Sequence, residues 1–229
     1  MKKERETKIA LDNNAKDDVT GAMNRLEMLY ESCPDQPEAA RWKAEIERVR
    51  RVNDPGAIRH WLILAPISLP AGQSATKGLE VEQLSHEATL RPRPGDKVTI
   101  GGRDLVWREY PLRDYAVDFN GLLGEETPRS VAYAVCYVQV ATPRKGLVLK
   151  VGSDDQARVY LNGLKIYENL RPRGLWPDED TISDVELQAG LNVVVFKVVN
   201  GESGWGGSLR FADKEDQPVP GIKITLEPD

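Results

Sequence analysis

The stretch from Gly146 to Glu168, GLVLKVGSDDQARVYLNGLKIYE, restricts the possible folds of this chain more than any other. Its apolar residues alternate with a two-residue period, the mark of half-buried β-strands rather than helices. Leu147, Leu149 and Val151 form one run. Ala157, Val159 and Leu161 share a face of the next, with Arg158 and Tyr160 on the other side. The turn Gly152-Ser153-Asp154-Asp155 separates them. Asn162-Gly163 follows, the dipeptide best suited to a type I′ turn, whose central residues both need positive φ. Leu164 and Ile166 resume the apolar face. The pattern predicts a β-meander.

The same reading extends upstream and downstream. His60 to Ile67 is a short apolar run expected as a buried strand, and residues 68–78 read as a loop before a helical turn from Leu79 to Leu84. Lys97 to Ile100 and Asp104 to Tyr110 are strand patterns bracketed by Gly95-Asp96 and Gly101-Gly102. Tyr115 to Phe119 is another, followed by a Gly-rich loop from Gly121 to Gly124. Val131 to Val140 (VAYAVCYVQV) mixes aromatic with small and branched residues, as in a central strand covered on both faces. Val185 to Leu187, Val193 to Val199, Ser208 to Phe211 and Ile222 to Leu226 complete the set. Short strands at regular spacing, with turn chemistry between them, predict a mainly β protein with an antiparallel, jelly-roll-like β-sandwich.

The N-terminal part is different. Residues 1–14 are polar. From Lys16, with Asp17 or Asp18 as cap, Val19, Met23, Leu26, Leu29 and Tyr30 recur at helical steps up to Pro34. Asp35-Gln36-Pro37-Glu38 reads as a second helix start, and Ala39, Trp42, Ile46 and Val49 as its apolar stripe. An αα-hairpin over 1–54 and a sandwich over 55–229 are the expected domains.

Composition removes several functions. Lys+Arg number 31 against Asp+Glu 36, a net charge of -5, so nothing electrostatic favours nucleic acid or an anionic membrane. No apolar run is long enough to span a bilayer. The start is basic but lacks an apolar h-region, so it does not read as a signal peptide. The chain is then either cytoplasmic or a piece of a larger secreted protein. Cys33 and Cys136 are expected as free thiols. Catalysis needs convergent acid, base or nucleophile groups; of the two histidines, His60 abuts a strand beside Trp61 and reads as structural, and His86 has no evident partner. The chain carries no phosphate loop, metal-binding His pair or nucleophile elbow.

The motif S-D-D-x-x-R-V-Y-L-N-G-x-x-I of Ser153 to Ile166 resembles the hairpin core of galactose-binding-like and PA14-like β-sandwiches. L-x-x-G-x-N of Leu187 to Asn192 and the Gly204 to Gly207 loop add to the likeness, which spans roughly 59–213. Gly201-Glu202-Ser203 ahead of that loop departs from the pattern in length. The stretch Ala22 to Arg41 resembles a single tetratricopeptide-like unit. Such sandwiches are accessory modules of secreted bacterial multidomain proteins. The resemblance therefore implies carbohydrate as ligand and an extracytoplasmic setting, with the hairpin free to dock a protein. The other reading, from a different class, is a structural or protein-interaction module that braces a neighbouring domain.

Two sets of residues are candidates for a site. Asp154 and Asp155 read as an Asx-type turn that accepts backbone N–H bonds. The resemblance implies instead that such a pair binds calcium and, through it, sugar hydroxyls. Calcium takes six to eight oxygens, and Asp154, Asp155 and Asn200 supply only a few. The second set is Arg171, Arg173, Trp176, Asp178 and Trp205. Trp176 lies in a Pro/Gly-rich loop outside any apolar period. Exposed aromatic rings flanked by Arg and Asp suit saccharides, the ring covering a C–H face while charged groups bond hydroxyls. Trp205, in a Gly-rich loop, fits equally a ligand platform or a plug for the end of the sandwich.

Overall fold

The run apolar on both faces, Val131 to Val140, becomes a strand with a core on each side. The structure, a computed structural model, describes residues 19–54 and 56–228. The chain divides after Asp54 into two compact units. In the first, α1 (Val19–Ser32) and α2 (Ala39–Asn53) follow one another. Leu26, Ile46 and Val49 cluster there, with Tyr30 packed against them. The expected helix start at Lys16 and its caps Asp17 and Asp18 lie outside the described residues.

The second unit is an antiparallel β-sandwich. Its larger sheet holds β1 (His60–Ser68), β4 (Arg108–Pro111), β6 (Ser130–Val140), β8 (Gln156–Leu161), β9 (Leu164–Asn169), β11 (Gly190–Val199) and β13 (Lys223–Thr225). The order is β4-β1-β6-β11-β8-β9, with β13 also on β6. The smaller sheet has the order β10-β7-β12-β5, from β5 (Val117–Asp118), β7 (Arg144–Asp154), β10 (Asp180–Leu187) and β12 (Gly206–Ala212). A separate ribbon pairs β2 (Lys97–Ile100) with β3 (Arg103–Val106). Among the described residues no helix is long and apolar enough to cross a membrane.

Side-chain alternation along β6 places it in two cores at once. Ala132, Ala134, Cys136 and Val138 face the layer between the sheets, with Leu149, Phe196 and Phe211. Val131, Tyr133, Val135 and Tyr137 face outward into a second core with Leu62, Leu79 and Trp107. The chain from Leu69 to Trp107 thus covers the outer face of the larger sheet, including α3 (Ala75–Glu80). Cys33 and Cys136 are free, and burial pushes the Cys136 thiol up.

Several expectations need correction. The meander holds only for β8 and β9, which pair through Asn162 and Gly163 at φ 51° and 84°. β7 lies in the other sheet, and the chain crosses between sheets at Asp154-Asp155. A period of two reports which face is apolar, and strand partners are chosen by longer-range packing. Leu164 is exposed, because β9 is an edge strand. The helical turn begins earlier, at Ala75, because Ser74 caps it by accepting the Lys77 N–H. The Asp104 to Tyr110 run breaks at Trp107, whose N–H donates to the Asp96 carbonyl while its ring is buried. The Gly121 to Gly124 segment is mostly α4 (Phe119–Leu123), capped by Asp118. β10 starts at Asp180, ahead of the expected Val185, since Thr181 and Ile182 pair with β7.

Candidate functional site

Asp154 and Asp155 sit at the corner where the chain changes sheets, joined by a cis peptide bond. Asp155 acts as a brace. Its Oδ2 accepts the Gly201 N–H at 2.8 Å and its Oδ1 accepts the Arg173 N–H at 3.2 Å. One carboxylate thus ties two loops that lie far apart in sequence. The approach at Gly201 is close: a Cβ there would stand 2.9 Å from Asp155 Oδ2. Asp154 is half-buried. Burial and then the Asp155 charge push its carboxyl up to about 6, against the lowering effect of a hydrogen bond from the Leu175 backbone.

The loop between β9 and β10 carries most of the candidates, and the structure separates them. Arg173 turns inward. Its Nη2 donates to Ser153 Oγ and to the Tyr167 hydroxyl, each at 2.9 Å. Its Nη1 lies 2.7 Å from Asp180 and 3.1 Å from Glu179. Tyr167 in turn donates to Asp180 at 2.6 Å. Asp178 pairs with Arg210 of β12, receiving Nε at 3.1 Å and Nη2 at 2.9 Å on Oδ2. Both residues are therefore engaged inside the protein. Between them Trp176 is 71% exposed. Its backbone oxygen lies against Gly152 of β7, where a Cβ would approach it to 2.5 Å. Arg171 is exposed, and its backbone is held on both sides by the Asn169 amide.

Trp205 takes the plug arrangement. It is 2% exposed, its ring packs on Phe119 with centroids 4.6 Å apart, and its Nε1 donates to Asn120 Oδ1 at 2.9 Å. A ring enclosed in this way offers no face to a ligand, so the platform expectation for Trp205 is corrected. The Asn120 amide also receives the Thr127 N–H and donates to the Ser203 carbonyl, so it organises this end of the sandwich.

The donor set does not fit calcium. Among the described residues no group of three or more His, Cys, Asp or Glu could hold a metal ion. Asp154 and Asp155 receive backbone N–H groups from Leu175, Arg173 and Gly201, where a cation would be met by oxygens. Asn200 adds one buried Oδ1 without a partner, and its Nδ2 is spent on the Thr127 and Ser203 carbonyls. Three side chains fall well short of the six to eight oxygens calcium takes.

The sequence reading missed Arg210, Tyr167 and Gly152. Arg210 was visible as a lone charge in the apolar run Ser208 to Phe211. Nothing local marked the other two.

No family model matches the chain, and no curated protein does. Among solved structures it is similar to a family 35 carbohydrate binding module from an environmental isolate. That match is 20% identical, covers 44% of this chain and 76% of that one, and has a TM-score of 0.31. It is also similar to the PA14 sugar-binding domain from an RTX adhesin, at 14% identity over 73% of this chain and 96% of that one, TM-score 0.35. The PA14 domain of the MpAFP antifreeze protein gives 14% identity, coverage of 43% and 48%, and a TM-score of 0.29.

Proposed function

We propose that the sandwich is a non-catalytic carbohydrate-binding module of a larger secreted or surface protein. The observation that carries this reading is Trp176: a ring 71% exposed on a loop whose flanking residues are fastened to the protein. A large apolar face open to water gains free energy when a ligand covers it. A pyranose offers such a cover, C–H groups on one face and hydroxyls around the rim. The Asp154 carboxylate, held through the N–H of Leu175 next to Trp176, accepts hydrogen bonds from the hydroxyls, and exposed Arg171 donates them. Asp155, Arg173, Asp178 and Trp205 shape the site without touching the sugar.

The test is a glycan array and affinity electrophoresis on insoluble and soluble polysaccharides, wild type against Trp176→Ala. Binding by the wild type that vanishes in the variant supports the proposal. Absence of wild-type binding on every glycan overturns it. A second reading, a protein-docking module, rests on Leu170, which is 42% exposed in the same loop. Exposed Trp and Leu together form the apolar centre of many protein interfaces. Under that reading Leu170→Asp and Trp176→Ala weaken the same protein contact, and no glycan is bound.

A further inference from the structure

A stacking platform selects a ligand only if its loop has one conformation before the ligand arrives. The β9–β10 loop is rich in Pro and Gly and lacks strand pairing between Leu170 and Glu179, so its order comes from contacts outside any strand ladder, of its main chain and of its side chains. On the C-terminal side of Trp176 the fastening is a single acid at left-handed φ. Asp178 has φ 59°, a left-handed conformation that Asp adopts more readily than most residues. Its side chain is held by Arg210. The arginine rises from the middle of β12, where it sits opposite Lys150. Its side chain is 9% exposed, and the guanidinium grips Asp178 through both Nε and Nη2. Nη2 also bonds Asp216 at 2.6 Å, and Asp216 lies 3.7 Å from the Lys150 amine.

We propose that Arg210 is a positioning residue for the Trp176 platform, acting through Asp178 as a clasp that fixes the loop before any ligand binds. This inference rests on the carbohydrate reading for its purpose, but not for its geometry. A planar, two-point grip sets the direction of the Asp178 carboxylate as well as its distance. It therefore fixes the backbone two residues from the ring. Lysine in place of Arg210 keeps the charge and loses that direction.

The experiment uses the distribution of tryptophans. Trp42, Trp61, Trp107 and Trp205 are all 3% exposed or less, against 71% for Trp176. Fluorotryptophan labelling with ¹⁹F NMR, the resonance assigned by its loss in Trp176→Phe, then reports the platform in the absence of ligand. In Arg210→Lys and Asp178→Asn the Trp176 resonance is expected to move toward the free-indole shift and sharpen, while the four buried resonances stay in place. Where a polysaccharide binds the wild type, affinity for it falls about tenfold in both variants, with the residual binding still requiring Trp176. An unchanged Trp176 resonance in both variants overturns the clasp, whatever happens to binding. A shifted resonance in a protein that binds no glycan supports the clasp and overturns the carbohydrate reading instead. Asp178→Asn leaves Arg210 its bond to Asp216, so it tests the clasp even if Arg210→Lys fails to fold.

Discussion

Lys197 Nζ lies 2.8 Å from Glu87 Oε2, and neither side chain reaches solvent. The ammonium also donates to the Leu79 carbonyl at 2.9 Å and the Val81 carbonyl at 2.7 Å, so its three protons meet three acceptors. Glu87 receives the hydroxyls of Tyr133 and Tyr160, and Arg158 stands 3.5 Å from its Oε1. Burial pushes Lys197 below its ordinary value, partly offset by the Glu87 charge. The cluster pins the segment after α3 onto the outer face of the larger sheet.

Removing one partner of this pair leaves the other charge buried without its nearest counter-charge. Lys197→Met or Glu87→Ala should each cost about 3–5 kcal/mol in urea unfolding, whereas a well-packed neutral pair is often tolerated. The double change Glu87→Gln with Lys197→Met keeps an acceptor for the tyrosines. It should recover most of the loss. A double variant no more stable than the singles would show that the pair is not the unit that matters.

Trp205 and Trp176 should respond in opposite ways to truncation. Trp205→Ala empties a filled core position and should lower stability by about 3–5 kcal/mol. Trp176→Ala should leave the melting temperature nearly unchanged and remove about 2 kcal/mol or more of binding. Calorimetry on both variants separates them.

Gly163→Val should destabilise the sandwich by about 1–2 kcal/mol or more, since a β-branched residue is strained at left-handed φ. A new Cβ there also comes within 3.0 Å of the Thr89 methyl. An unchanged denaturation midpoint would contradict the turn.

The Asp154 carboxyl, near 6 in the folded protein against an ordinary 3.8, favours its protonated form when folded. Its contribution to stability is fully present below about pH 4 and is lost as pH rises through about 6. From this group alone, stability should rise as pH falls from 7 to 5. Glycan affinity should fall over the same range, because the protonated acid is a weaker acceptor. Asp154→Asn should flatten both trends, measured by thermal melts and binding isotherms at each pH. A chelator should change neither the melting temperature nor the affinity. Binding lost in chelator and restored by calcium would refute the donor-set argument.

Much of this molecule was legible in its residue order. The Asn162-Gly163 hairpin, the doubly covered Val131 to Val140 strand and the strand-rich second half follow from local periodicity and turn chemistry. What escaped was pairing over distance. Leu147 to Val151 carries the same alternation whether it joins β8 or crosses to β12, so the crossover at Asp154-Asp155 left no mark. The site residues show the same limit. Arg173 and Asp178 look alike in the sequence whether they face a ligand or Asp180 and Arg210, and Lys197 gives no hint that Glu87 packs over its face of the sheet. The exposure of Trp176 was legible because no apolar period claimed it.

Between the fastened residues Arg173 and Asp178 lie Gly174, Leu175, Trp176 and Pro177. The contacts that seat this window on the sandwich run largely through its main chain: the Leu175 N–H toward Asp154 and the Trp176 carbonyl over Gly152. Main-chain contacts are indifferent to which side chain rides on them. The tetrapeptide therefore behaves as an exchangeable cassette. Lineages, or libraries, that rewrite position 176 and its neighbours can change the surface the loop presents while the sheet beneath them, and the stability it provides, stays the same.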